Sequence, residues 1–177
     1  MRLSAKESVP VPWKNGGGTT RELSHRSELG QMIWRLSLAD ISRDGPFSAF
    51  PRLCRIHTIV TGRGLSLVGG GVTFLAKPFQ PLMFDGALQL DAELVDGACQ
   101  AFNVIYNPDL VQAEAEVSSA GPIRTEKGEN VLFVLTGELD LGALGRFSKH
   151  EGLIMEDPAS GQVSNGGMVL QICFTPV

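Results

Sequence analysis

The sequence predicts an all-β fold, a duplicated β-barrel or sandwich with few short helices, and three observations carry that prediction. The first is the number of residues that interrupt helices and strands: 21 glycines and 10 prolines are spread through the 177 residues and divide the chain into short segments. The second is composition, because short β-branched runs are bounded by Gly, Pro, Asn or Asp, as in proteins built of short strands. Long helical periodicity is nearly absent, which argues against a helical domain. The third observation is an internal repeat, described below.

Each predicted strand begins after a turn signal and ends before the next one. In chain order, the predicted strands are 33–39, 55–61, 65–68, 88–94, 100–106, 130–136, 153–155 and 168–174. Residues 108–117 begin at an Asn-Pro pair and are rich in Ala, Glu and Gln, a composition that favours a helix. An edge strand or a linker fits this segment equally well.

The internal repeat suggests two copies of one β module. Ile-Val-Thr-Gly recurs as Val-Leu-Thr-Gly, Leu-Met-Phe-Asp as Ile-Met-Glu-Asp, and Ile-Tyr-Asn-Pro as Cys-Phe-Thr-Pro. The paired positions are 59–62 with 134–137, 82–85 with 154–157, and 105–108 with 173–176. The offset falls from 75 through 72 to 68 residues, as loop deletions in a second copy would produce. We therefore expect one duplicated domain over 1–177, with approximate halves 1–110 and 111–177. The competing explanation of the repeat is chance similarity between β-rich stretches.

The densest polar stretch surrounds three consecutive glycines, Gly16, Gly17 and Gly18. An aromatic ring, a cation and an amide precede them at 13–15, and Thr-Arg-Glu follows at 20–22. Glycines permit positive φ and close approach, so this loop suits contact with a ligand. The alternative is a flexible turn before the first strand. No Gly-Lys-Ser/Thr follows the glycines, so the loop is not a phosphate cradle of the Walker type.

Four segments of the first third of the chain resemble one known family. Trp-Lys-Asn-Gly-Gly-Gly at 13–18 and Thr-Arg-Glu at 20–22 resemble the opening signature of the HutD/Ves family of cupin-like proteins. Trp-Arg-Leu-Ser-Leu-Ala at 34–39 and Asp-Gly-Pro-Phe-Ser-Ala-Phe-Pro at 44–51 match the family in the same order. The resemblance implies a bicupin fold, a buried small-molecule pocket and a link to bacterial histidine utilisation. It implies no known reaction.

Two arginines are the preferred anchors for a ligand. Because side chains alternate across a strand, Arg35 shares a face with Ser37, and Arg55 shares a face with His57. An arginine in a cleft binds a carboxylate through two parallel hydrogen bonds and keeps its charge. The alternative for each polar face is exposure to solvent. The full set of predicted ligand-binding residues is Trp13, Asn15, Gly16, Gly17, Gly18, Thr20, Arg21, Trp34, Arg35, Arg55, His57 and Asn103.

The other members of this set would complete a site for a small carboxylate. Asn15, Thr20 and Asn103 could add neutral hydrogen bonds, and Trp13 or Trp34 could cover an apolar or planar part of the ligand. Urocanate or a formylated or formiminated glutamate would fit, and the family link suggests this class.

Three features bear on how these residues are used. Arg21 and Glu22 could instead pair with each other or with strand neighbours. Cys54 precedes Arg55 where the family would more often show an acidic residue. Ala101 likewise stands where an acidic residue would be expected shortly before Asn103. If these two residues face the pocket, both departures leave it more cationic, which favours an anion.

The residues predict no metal and no other cofactor. A metal cupin carries His-x-His with a glutamate and a further histidine, whereas His25, His57 and His150 are far apart in this sequence. No nucleophile elbow is present, so no catalytic residue is predicted. The runner-up is His57 as a general base, because a neighbouring Arg55 would favour its neutral form.

These observations lead to one preferred function and two alternatives. The preferred function is a non-enzymatic sensor or regulator of histidine catabolism that binds a small carboxylate intermediate. The first alternative is a metal-independent isomerase, cyclase or hydrolase acting on the same class of ligand. The second is a protein-interaction module with a vestigial pocket.

The charge and the cysteine content indicate which classes of binding partner and which cellular compartment to expect. With a net charge of −4 and a pI of about 5.4, the chain lacks a basic field for nucleic acid or an anionic membrane. No segment has the length and hydropathy of a membrane helix, so we expect a cytoplasmic protein. The chain has an odd number of cysteines, Cys54, Cys99 and Cys173, which indicates a reducing compartment. We expect Cys173 to be a core residue. The expected partner is a small anionic metabolite, and a homodimer is the oligomeric option.

Overall fold

The computed structural model describes residues 1–177, which form seventeen β-strands and one short 3₁₀ turn over Gly142–Leu144. The all-β prediction is confirmed. The strands are β1 (Arg2–Ser4), β2 (Val11–Pro12), β3 (Gly18–Glu28), β4 (Gln31–Ile41), β5 (Gly45–Phe47), β6 (Cys54–Thr61), β7 (Leu65–Gly69), β8 (Val72–Ala76), β9 (Leu82–Asp85), β10 (Leu90–Leu94), β11 (Cys99–Tyr106), β12 (Val111–Arg124), β13 (Glu129–Thr136), β14 (Glu138–Asp140), β15 (Arg146–Ser148), β16 (Glu151–Met155) and β17 (Ser160–Pro176).

Two compact modules divide the chain. The N-terminal module comprises Ser8–Leu110, and the C-terminal module comprises Val111–Val177 together with Met1–Glu7. The first residues belong to the C-terminal module because β1 pairs antiparallel with β16. The duplicated single domain with halves 1–110 and 111–177 stays a prediction.

The N-terminal module contains two sheets that share one core. The first has the order β2-β3-β4-β11-β6-β9 and the second the order β5-β10-β7-β8. Ile59 and Ala101 of the first sheet and Leu65, Leu67 and Leu90 of the second lie in the same buried cluster. Two curled sheets over a common apolar core are the arrangement of a barrel or sandwich, as the short alternating strands predicted.

Three neighbouring strands of this module fix the positions of the polar side chains. Strand β11 lies between β4 and β6, and Ile105 is opposite both Arg35 and Arg55. Asn103 is likewise opposite His57 on β6. Since alternate residues share a face, Arg35, Arg55 and Asn103 all project from the same side of the sheet.

The C-terminal module is one sheet, in the order β1-β16-β13-β17-β14-β15, and β12 adds to β17. Leu132, Val134, Leu139 and Phe147 belong to its buried cluster.

The helix proposed for 108–117 does not form. Asp109 N–H donates to Asn107 Oδ1 at 3.0 Å and closes a turn, after which β12 begins and pairs along β17. Within β12, Val111 and Ala113 are buried while Gln112 is exposed, which is a two-residue period. The pairing with β17 therefore overrides the helix propensity of Ala, Glu and Gln.

Each of the eight predicted strands overlaps an observed strand, but several observed strands were not predicted. Apart from β12, the longest of these is β3, which covers Gly18–Glu28 and which the sequence placed partly in a loop. Its side chains are polar on both faces, so it lacks the alternation that marks a half-buried strand.

The repeated segments fall on strands with matching neighbours. Residues 59–62 end β6 and residues 134–137 end β13. Strand β6 pairs with β9, which contains the first copy at 82–85, and with β11, at whose end the first copy at 105–108 begins. Strand β13 pairs with β16 and β17, on which the second copies lie or end.

The cysteines are unpaired, and one of them differs from the prediction. Cys99 is buried and Cys54 is half-buried, but Cys173 is exposed rather than in the core. Its neighbours Ile172 and Phe174 occupy the inner face of β17, and alternation leaves Cys173 outside. No helix is long and apolar enough to cross a membrane.

Candidate functional site

A cleft of about 750 Å³ opens on the N-terminal module. Strands β3, β4, β6 and β11 form its floor, and the loop after β2 and the segment around β5 form its walls. It is lined by Val11, Pro12, Trp13, Lys14, Asn15, Thr20, Glu22, Arg35, Ser37, Ala39, Pro46, Phe47, Ser48, Phe50, Arg55, Asn103 and Ile105. This volume lies within the range of small-molecule sites.

The polar centre of the cleft is the buried pair of Arg55 and Asn103. Arg55 is 6% exposed and Asn103 is 2% exposed. The Nε and Nη2 atoms of Arg55 both donate to Asn103 Oδ1, at 3.1 and 2.7 Å. Because the guanidinium has five N–H hydrogens and only these two are used, three remain for another acceptor. No carboxylate of the protein pairs with Arg55.

Aromatic rings surround the Arg55 guanidinium. Its central carbon lies 3.9 Å from the centroid of Phe47 and 5.7 Å from that of Phe50, and Phe84 is at 5.9 Å. The faces of these rings carry partial negative charge and attract the cation. They stabilise a buried charge without neutralising it, so the cation stays able to bind an anion.

A second cation lies beside the first. Arg35 Nε is 3.4 Å from Glu22 Oε2, without hydrogen-bond alignment, and its guanidinium is 6.0 Å from the Phe50 ring. Burial, and then the positive charge of Arg35, lower the pKa of Arg55 from 12.5 to about 9. Arg55 therefore remains charged at neutral pH, close to another positive charge.

The charges that line the cleft favour an anion. Lys14, Arg35 and Arg55 are cationic and Glu22 is the one carboxylate among the lining residues. The protein as a whole has a net charge of −4, so this local excess of positive charge runs against its overall charge.

His57 lies beneath the cleft and not in its wall. It is fully buried, its Nδ1 is 2.8 Å from Asn103 Oδ1, and its ring meets Phe47 edge-on at 5.4 Å. Burial and the charge of Arg55 lower the pKa of His57 from 6.5 to about 3, although the hydrogen bond to Asn103 acts in the opposite sense. The ring is therefore neutral at pH 7.

The glycine-rich loop forms one rim of the cleft. The Trp13 ring nitrogen donates to Thr20 Oγ1 at 2.7 Å, and Gly17 N–H donates to Asn15 Oδ1 at 3.0 Å. Gly18 lies against the next strand, where a Cβ atom would be 2.1 Å from the carbonyl oxygen of Asp40. These contacts place the tryptophan ring and the Asn15 side chain at the cleft.

The structure brings six of the twelve predicted ligand-binding residues together in the cleft lining. They are Trp13, Asn15, Thr20, Arg35, Arg55 and Asn103. Gly16, Gly17 and Gly18 do not line it: Gly16 and Gly17 belong to the turn before β3, and Gly18 is the first residue of that strand.

Three other predicted residues do not line the cleft. Arg21 forms an ion pair with Asp40 on the opposite face of β3, and Trp34 is buried on the opposite face of β4 from Arg35. The third, His57, contacts Asn103 from below.

The sequence analysis did not predict the aromatic wall, the rings of Phe47 and Phe50 that lie beside Arg55. Phe47 and Phe50 belong to the segment at 44–51 that resembled the family, but no spacing rule connects a phenylalanine to an arginine on another strand. Glu22 was given local pairing or pairing with strand neighbours as an alternative role, and it contacts both His25 of its own strand and Arg35 of the neighbouring strand. No group of three or more His, Cys, Asp or Glu residues is arranged to hold a metal ion.

Comparison with known proteins identifies the family. The HutD family model matches residues 5–170. The chain belongs to the HutD family. A 21.2 kDa protein of Pseudomonas putida, described as lying in the 3′ region of hutC, is 34% identical over 155 residues, which are 85% of this chain and 82% of that protein. Protein Ves of Cronobacter sakazakii is 30% identical over 144 residues, 80% of each chain. The HutD/Ves resemblance is thus confirmed.

Solved structures confirm the fold. HutD from Pseudomonas fluorescens SBW25 superposes with a TM-score of 0.88 at 28% identity, covering 100% of this chain and 98% of that one. A cupin 2 conserved barrel domain protein from Leptotrichia buccalis gives a TM-score of 0.61 at 10% identity over 97% of this chain and 99% of that one. At such low identity the second match shows the fold alone, which is cupin-like.

Proposed function

We propose that this HutD-family protein binds a small carboxylate and serves as a sensor or regulator in histidine utilisation. The observation that carries the proposal is the buried guanidinium of Arg55, which has three unused N–H groups and no carboxylate partner in the protein. A buried charge without a counter-charge destabilises the fold, and an anion in the cleft would relieve that cost.

The cleft is suited to a carboxylate attached to a planar or apolar body. Arg55 can offer parallel N–H groups to two oxygens, and Arg35 adds a second positive charge. Phe47, Phe50 and Trp13 provide flat apolar walls for the rest of the molecule. Urocanate and N-formylglutamate combine these features and are the ligands we would test first.

Two comparisons support the physiological context. A relative is described as lying beside hutC, and another bears the name HutD. On that basis we place the sensor in the cytoplasm, where intermediates of histidine degradation arise.

A sensor is favoured over an enzyme because of what lies next to the anion site. His57 does not line the cleft and is a weak base, so the general base that the sequence suggested for a metal-independent enzyme is out of reach of a ligand in the cleft. Ser37 and Ser48 line the cleft, but neither side chain is hydrogen-bonded to a histidine or a carboxylate.

The experiment is calorimetric titration of the purified protein with urocanate, N-formylglutamate, formiminoglutamate and histidine. Arg55→Ala and Arg35→Ala should abolish or strongly weaken a saturable signal. Arg21→Ala is the matched control, because it removes an arginine from the same sheet on the opposite face. Chromatography of the recovered ligand then separates a sensor, which leaves it unchanged, from an enzyme. Failure of all four ligands to bind would overturn the proposal.

We also infer that the protein is a bicupin, with two copies of one β module. The support is that each repeated sequence pair falls on strands with the same neighbours, β6 with β9 and β11, and β13 with β16 and β17. Superposing β6-β9-β11 on β13-β16-β17 with the repeats in register tests this inference.

A further inference from the structure

We infer that His57 is a positioning residue: as a neutral hydrogen-bond donor beneath the cleft, it fixes the amide of Asn103, which in turn aims Arg55 at the ligand. The contribution of this arrangement to binding rests on the proposed function, whereas the state of the His57 ring does not. The inference replaces the general-base role that the sequence suggested for this residue.

The donors of Arg55 determine the orientation of the Asn103 side chain. Arg55 has only donors, and both its Nε and Nη2 point at one Asn103 atom. Only the amide oxygen can accept from them, so the orientation of the amide follows from chemistry and not from atom labels. The Asn103 Nδ2 group points the other way and is 3.3 Å from the carbonyl oxygen of Ala101.

The orientation of Asn103 then determines the tautomer of His57. Its Nδ1 is 2.8 Å from the same Asn103 oxygen, which has no hydrogen to donate. The proton of the neutral ring must therefore be on Nδ1, and Nε2 must be the deprotonated nitrogen. Nε2 is buried and has no hydrogen-bond partner in the protein, so no acceptor there favours the other tautomer.

The four side chains form a closed ring of contacts. Arg55 lies on the face of Phe47, the rings of Phe47 and His57 pack at right angles, His57 binds Asn103, and Asn103 binds Arg55. Each member restricts the next, so the free N–H groups of Arg55 are held in one direction before a ligand arrives. Such preorganisation raises affinity because less freedom is lost on binding.

A positive charge on His57 would oppose this arrangement. The charged group beside the ring is Arg55 of the same strand, and Arg35 of β4 lies next to Arg55. Asn103 and Phe47, which pack on His57 from β11 and β5, carry no charge. A neutral donor therefore gives the same hydrogen bond to Asn103 as an imidazolium would, without repelling Arg55.

The first test is nitrogen-15 NMR of the free protein, which contains only His25, His57 and His150. We expect His57 to show the Nδ1-protonated neutral tautomer throughout pH 5–8. We also expect a slowly exchanging Nε–H signal from Arg55, because that group is buried and hydrogen-bonded. A ring protonated on Nε2, or a ring that becomes charged within this range, would overturn the inference whatever the ligand.

The second test compares two variants. His57→Asn keeps a donor near the position of Nδ1, whereas His57→Leu removes it. In His57→Leu we expect rapid exchange at Arg55 Nε–H and about three- to tenfold weaker binding of urocanate or N-formylglutamate, the loss associated with one hydrogen bond. His57→Asn should restore both, with thermal unfolding used to verify that each variant folds.

The outcomes separate the two proposals. The wild-type protein could bind neither compound and still show the predicted His57 tautomer and an Arg55 Nε–H signal that depends on the donor at position 57. That result would refute the proposed carboxylate function and leave the positioning role intact. Wild-type affinity and an unchanged Arg55 signal in His57→Leu overturn the positioning role, even where binding is strong.

Discussion

The sharpest prediction concerns a change of one atom type at the centre of the cleft. Asn103→Asp keeps the shape of the side chain and an oxygen 2.7 Å from Arg55 Nη2, but it supplies the counter-charge that Arg55 lacks. At a charge separation of about 4 Å and an effective dielectric constant near 20, the new carboxylate would attract the guanidinium by about 4 kcal/mol. An incoming anion would then meet a neutral pair in place of a cation.

The expected loss of affinity follows from this attraction. About 4 kcal/mol corresponds to nearly a thousandfold, and because Arg35 still attracts the ligand in a cleft open to water, we expect about a hundredfold weaker binding. The assay is calorimetry, supported by fluorescence of Trp13 in a Trp34→Phe background. These are the only two tryptophans, and only Trp13 lines the cleft.

A matched control separates local pairing from a general change in charge. Asn107→Asp adds the same single negative charge outside the cleft lining and keeps the oxygen that accepts the Asp109 N–H. Because exposed charges are screened, we expect an affinity change below about threefold. Equal affinities of Asn103→Asp and wild type, with both folded, would refute the role of Arg55 as the anchor.

Three further predictions concern pH and the loop that carries Phe50. The pKa of His57 is about 3 in the fold against 6.5 when unfolded, so its share of stability is complete above pH 6.5 and lost as pH falls toward 3. This share is roughly 5 kcal/mol, and urea unfolding of His57→Asn should lose that part of the pH dependence. Anion affinity measured by calorimetry should be constant near pH 7–8 and fall above pH 9, the pKa of Arg55, by about tenfold per pH unit. Gly86→Ala should weaken binding by about three- to tenfold, because its Cβ would lie 2.8 Å from the Phe50 carbonyl oxygen and displace the loop.

Each of these predictions has a clear contrary result. Parallel stability profiles of wild type and His57→Asn between pH 3 and 6.5 would mean that the ring is not buried in the neutral form. Affinity that is constant to pH 11 would mean that Arg55 is not the titrating anchor. For Gly86→Ala the control is Gly97→Ala, which introduces strain at a φ of 70° with open space around it. Equal affinities of these two variants would contradict a positioning role for the Phe50 loop.

The polar centre of the cleft could be predicted because strand alternation is local. Once 33–39, 55–61 and 100–106 were identified as strands, alternation assigned Arg35, Arg55 and Asn103 to definite strand faces, and the chemistry of arginine favoured the faces of Arg35 and Arg55 for a ligand. The sequence does not reveal that β11 lies between β4 and β6. Strand order depends on pairing across long separations, and that order brings Asn103 to both Arg55 and His57.

The errors have physical causes of the same kind. Strand β12 has a helical composition but is held by pairing with β17, which no window around it reveals. Strand β3 is polar on both faces, so its sequence lacks a period of two. The aromatic wall escaped prediction because a ring on an arginine is a contact between strands and leaves no mark in local spacing.

The pairing of β1 with β16 affects the order in which this protein can fold. Residues 1–7 are synthesised before the N-terminal module, yet their partner strand begins at Glu151, which is synthesised after it. Residues 8–110 thus form an insertion between two parts of the C-terminal module, and they can complete their own core while synthesis continues. The cleft belongs wholly to that inserted part. A nascent chain could therefore acquire its anion site before its C-terminal sheet is complete, and a ligand that binds early would stabilise the portion already folded.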